Sequence, residues 1–150
     1  MPQAPPASGI EFERAWRRAG VQRDRLALLR RVPAEAFPAL FKVRASASGL
    51  RRRRSRTRPQ VEVPHALLGE LLAALRHGWR DLADEAGGGD AAAAAVAVLR
   101  GVAGAGRFAL TARLLGSAAR EHAAALLAEL QAALPADAEQ LAPLRRAYGV

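Results

Sequence analysis

Four sets of residues in this 150-residue sequence could do chemistry, and each requires partners at a particular spacing. His65, His77 and His122 could ligate a metal ion, but a helical zinc site places ligands one turn apart, as in H-E-x-x-H, and no such spacing joins these three. Structural roles are expected for them. GVAGAG at 101–106 supplies glycines for a phosphate loop, yet it lacks the Lys-Ser/Thr ending and follows a helical pattern where a strand is required, so a helix terminus is expected. Asp81, Asp84 and Glu85 could act as paired carboxylates only if desolvation in a cleft split their pKa values. Beside Gly87 to Gly89 they read as a solvated helix end. Ser8 and Ser117 have no His and Asp at triad-like spacing and read as helix caps or near-caps. The sequence therefore predicts no catalytic residue, no metal site and no cofactor.

A fifth set is electrostatic. GLRRRRSRTRPQ at 49–60 carries Arg51, Arg52, Arg53, Arg54, Arg56 and Arg58, a patch able to engage phosphates or carboxylates. The formal charge is +9, and residues 43–60 hold seven arginines and no acid, so the remainder carries only 9 − 7 = +2. Two partner classes fit: a nuclear-import or nucleic-acid tether reading phosphates without sequence preference, or an acidic protein surface such as the glutamate-rich tails of tubulin. A solvated loop with no partner is the third reading. No aromatic residue interleaves the arginines, so specific base recognition is not expected.

These residues need a scaffold, and the composition supports one. A chain of this length forms one domain and buries roughly 68–70% of its unfolded surface. The 51% apolar and 25% charged fractions match an ordinary globular protein. Cysteine is absent, which removes disulfides and thiolate chemistry. The start, MPQAPPASG, has no apolar signal region, and the longest apolar run, AAAAAVAVL at 91–99, is far short of the ~20 residues a membrane span needs. A soluble intracellular protein is expected.

Helical periodicity dominates the chain. Residues 1–7 read as a disordered Pro-rich tail, after which Ser8 and Glu11 form a capping box. The following helix turns Phe12 and Trp16 inward and stops at Gly20 in a left-handed cap. RDRLALLRRV buries Leu26, Leu29 and Val32 before Pro33, and PAEAFPALFK carries Phe37, Leu40 and Phe41. Pro64 opens a helix with a stripe of Leu67, Leu68, Leu71, Leu72 and Leu75. EAGGGD is a linker whose Asp90 caps an alanine-rich helix through Val96, Leu99 and Val102. Phe108 and Leu110 start the next element. The longest helix runs from Ser117 to Pro135 with Ala123, Leu126, Leu127, Leu130 and Leu134 inward, and Asp137 with Gln140 suggests a capping box for a last helix that Pro143 should kink or delay.

No segment alternates with period two, and VEV at 61–63 is too short for a strand. The expected fold is all-α, a single compact domain of about seven helices over 8–150, interrupted at 43–63 by a disordered basic loop insertion. The aromatic residues at helical spacing read as core. Trp79, just past a helix end, is the one candidate for an exposed partner-binding anchor.

The order FERAWRR, LALLRRVPAEAFPALFK, LLGELLAAL, GRFALTARLL and LLGSAAREHAAALLAELQAAL resembles the C-terminal helical domain of the RNA polymerase II-associated protein three family. Within that family it is most similar to the coiled-coil dynein arm attachment factors of motile cilia, over residues 8–150. The resemblance implies a non-catalytic adaptor: family members engage the pontin and reptin AAA+ ATPases of a chaperone platform, and ciliary members help dynein arms assemble or attach. It also implies a cytoplasmic, cilium-associated location. Neither tetratricopeptide repeats nor an N-terminal coiled coil accompanies the module, and the family pattern lacks VRASASGLRRRRSRTRPQV, which reads as an insertion.

Overall fold

The computed structural model describes residues 4–41, 63–83 and 90–150. These form eight α-helices: α1 (Gly9–Arg18), α2 (Gln22–Arg31), α3 (Phe37–Leu40), α4 (His65–Gly78), α5 (Ala91–Ala103), α6 (Phe108–Arg113), α7 (Ser117–Ala133) and α8 (Ala138–Tyr148). Three 3₁₀ turns, Ala34–Ala36, Trp79–Leu82 and Pro135–Asp137, join them, and there is no strand among the described residues. The expected all-α fold is observed, with one more helix than anticipated.

Helix starts follow local chemistry. The Ser8 hydroxyl accepts from the Glu11 N–H at 3.3 Å, but the Glu11 carboxylate reaches past Ser8 to the N–H of Ala7 at 2.8 Å. That contact holds Ala7, the last residue of the Pro-rich segment, against the first turn of α1. Asp90 Oδ1 accepts from the Ala92 N–H at 2.9 Å and caps α5 as expected. Three other terminal expectations are corrected. Gly20 does not close α1 in a left-handed cap; Ala19 ends it at φ −71°, and among the described glycines only Gly149, after α8, has positive φ. Asp137 makes no capping bond to a backbone amide and instead accepts from the Gln140 side chain at 2.7 Å. Pro143 does not delay α8, which already begins at Ala138; it sits inside the helix, with Glu139, whose carbonyl loses its donor, on the same exposed side where water can replace it.

One apolar core links all eight helices. Phe12 is its aromatic hub, 5.8 Å from both Phe37 and Phe41 in edge-on geometry and 5.9 Å from Trp16. Aromatic pairs in such arrangements add about 0.5–1.5 kcal/mol beyond area burial. α4 lies along α7 in the same direction, with Gly69 beside Ala119 near one end and the Trp79 indole against Glu129 near the other. α5 crosses the turn at Ala34 so closely that a Cβ at Gly101 would run into the Ala34 carbonyl. Tyr148, fully buried, packs edge-on against Phe108 at 4.9 Å and donates its hydroxyl to the Leu99 carbonyl at 2.9 Å. The C-terminal helix is thereby tied to α5 and α6.

Candidate interaction surfaces

Trp79 sits in the 3₁₀ turn that follows α4, and only 6% of its surface is exposed. The expectation of an exposed anchor is corrected: the ring is core, and its one polar atom is satisfied internally. Its indole N–H donates to Glu129 Oε2 at 3.0 Å, Arg76 meets the other carboxylate oxygen at 3.0 Å, and the Arg80 guanidinium covers the ring at 4.6 Å. Spacing along α4 could not reveal this, because the partner lies 50 residues away on α7. A second cluster repeats the arrangement. Trp16, on α1, donates to Glu70 Oε2 on α4 at 3.0 Å, while Arg25 of α2 pairs with Glu70 at 3.3 Å and lies 5.2 Å over the Trp16 ring.

The other candidates separate clearly. His77 and His122, remote in sequence, meet edge-to-face with ring centroids 5.6 Å apart, because α4 and α7 are neighbours. His65 opens α4 on the exposed surface. No group of three or more His, Cys, Asp or Glu suited to a metal ion occurs among the described residues. Asp81 is exposed, and its backbone carbonyl accepts from Arg30; Asp84 and Glu85 lie outside the described residues. Ser117 is the first residue of α7, next to its N-cap Gly116, which is the near-cap position expected for it. GVAGAG forms the end of α5, capped at Gly104, and the turn into α6.

Arg51, Arg52, Arg53, Arg54, Arg56 and Arg58, and the insertion expected around them, lie outside the described residues. Val63 is placed and 1% exposed, and its carbonyl accepts from the Thr111 hydroxyl at 3.2 Å. Thr111, a buried polar residue of α6, is thus tied to Val63 just ahead of α4.

Among the described residues, the exposed large apolar side chains are Ile10, Val21, Leu110 and Leu114. Leu110 and Leu114, one turn apart at α6, are 52% and 66% exposed. Phe108, Thr111 and Ala112 take the inward face instead. Every aromatic side chain is buried: Phe12, Trp16, Phe37, Phe41, Trp79, Phe108 and Tyr148. No helix among the described residues is long and apolar enough to cross a membrane.

These features define an all-α body whose described polar side chains cap helices, pair across them, or face solvent. The chain is 34% identical over 142 residues to a protein of Chlamydomonas reinhardtii named dynein axonemal assembly factor 19 homolog, a distant homologue. That similarity covers 89% of this chain and 46% of the alga's protein, so the chain spans about half the length of the curated relative it matches. No family model matches the chain, and no solved structure matches it.

Proposed function

We propose that this protein is a non-catalytic protein-interaction adaptor in axonemal dynein arm assembly or attachment, acting in the cytoplasm and in association with the cilium. The observation that carries the reading is the similarity to the algal assembly factor over nearly the whole chain. The helical core is consistent with it, because the carboxylates of Glu70 and Glu129 are held by arginines and indoles in structural roles. Partners of this module are other assembly factors or, by the family resemblance, the pontin and reptin AAA+ ATPases. The test is a pull-down with the full chain from ciliated-cell extract. Recovery of dynein assembly factors or of pontin and reptin supports the reading, and recovery of neither abandons it.

A nucleic-acid role through Arg51 to Arg58 is the competing reading. Burial of all seven aromatic rings removes the stacking platform that single-stranded binders use, leaving phosphate contacts alone. Replacing the six arginines with glutamine separates the two: an adaptor keeps its protein partners, whereas a nucleic-acid binder loses its ligand.

A further inference from the structure

The net charge of the described body is concentrated on its first two helices. Residues 9–31 hold seven arginines against three acids, whereas all other described residues hold eight arginines against eight acids. Three of the seven are engaged: Arg17 pairs with Glu13 at 2.7 Å, Arg25 with Glu70 at 3.3 Å, and Arg30 donates to the Asp81 carbonyl. Arg14, Arg18 and Arg31 are exposed and have no acidic partner among the described residues. All three line one groove between α1 and α2.

That groove has a volume of about 360 Å³ where Pro5 and Pro6 wall it, and it continues into a further 320 Å³ beside Ala27. Its floor is apolar, made by Ala15, Ala27 and Leu28. Arg14 and Arg18 stand one helical turn apart, about 6 Å along the axis, on the α1 side, and Arg31 faces them from α2. Glu11 lies at one end and Asp24 at the other, which limits the stretch favourable to an anion.

We infer that the α1–α2 groove is a docking site for an acidic segment of a partner protein, an extended run of aspartate and glutamate. The cations are spread along the groove, which suits carboxylates repeated along a chain better than one compact anion. The apolar floor accepts the methylene stems of glutamate. Nucleic acid would find phosphate contacts here but no ring on which to stack a base, since Phe12 and Trp16 lie fully buried. The inference stands apart from the dynein-arm reading and uses none of Arg51 to Arg58.

The test uses the full chain with the six arginines from Arg51 to Arg58 replaced by glutamine, so that they cannot mask the groove. A fluorescein-labelled peptide of consecutive glutamates is titrated by anisotropy at low ionic strength. Binding is expected in this background, and adding Arg14→Gln, Arg18→Gln and Arg31→Gln should weaken it roughly tenfold or more, the scale expected for losing three exposed charge contacts. Lysine at the same three positions should retain most of the affinity and the same melting temperature. A control with Arg100→Gln, Arg145→Gln and Arg146→Gln removes equal charge from α5 and α8 and should leave binding nearly unchanged. The proposal is overturned if the background does not bind the peptide, if the groove triple binds as well as its parent, or if the control triple weakens binding equally. Displacement by millimolar inorganic phosphate, or equal binding of oligothymidine with the same arginine dependence, would overturn it in favour of a general anion site.

Discussion

The indole N–H of Trp79 and the carboxylate of Glu129 meet at 3.0 Å across the α4–α7 interface, and the same Trp–Glu–Arg arrangement recurs where Trp16 meets Glu70. In each case the carboxylate satisfies a donor that burial has removed from water, and an arginine both neutralises the acid and covers the ring. α4 is thereby held on one side to α1 and α2 and on the other to α7.

Glu129→Ala should lower stability by about 1–3 kcal/mol, because it leaves a buried indole N–H without an acceptor. Glu129→Gln keeps an acceptor and should cost less. Chemical denaturation of the three proteins checks the order, and equal losses for both variants would show that charge rather than the indole bond matters.

Gly101 tests the closeness of α5 to the 3₁₀ turn at Ala34. An added methyl normally raises helix propensity, but here it meets a backbone carbonyl that cannot rotate away. Gly101→Ala should therefore destabilise by about 1–3 kcal/mol through overpacking. Gly69→Ala, inside α4 where an added Cβ would meet only the Ala119 Cβ at an ordinary 3.5 Å, is the matched control, and its melting temperature should not fall comparably.

Burial pushes the Tyr148 phenol well above its ordinary value near 10. The folded state thus retains this proton where the unfolded chain releases it, so stability is unaffected below about pH 10, where the free phenol titrates, and falls as pH rises beyond it. Tyr148→Phe should remove that alkaline loss. It should also cost about 1–3 kcal/mol at neutral pH if the Leu99 carbonyl is left unpaired. Denaturation midpoints measured at neutral pH and above pH 10 distinguish the two effects.

Leu110 and Leu114 project from α6 into solvent, so the double change to serine should alter stability by no more than about 0.5 kcal/mol per site. A larger loss measured by thermal unfolding would mean that these side chains are packed in solution.

Much of the fold was legible from residues a few positions apart. Ser8, Asp90, Pro33 and Pro135 marked helix ends, and the 3.6-residue recurrence of leucines picked the buried face of α4 and α7, because caps and amphipathic stripes depend only on near neighbours. Which residues of α6 turn inward was not legible in this way, since a six-residue helix is too short for its apolar face to be unambiguous. Nor was the burial of Trp79, offered as a candidate anchor, legible from its neighbours along α4.

By itself the sequence determined an all-α core, the absence of cysteine chemistry and the concentration of arginine between residues 51 and 58. Tertiary structure alone decided that Trp79 is an internal donor to Glu129, that His77 lies against His122, and that α1 and α2 bring Arg14, Arg18 and Arg31 to one groove. The reason is that each of these pairings depends on how separate helices are set beside one another, which is fixed by the summed burial of the core and not by any short run of residues.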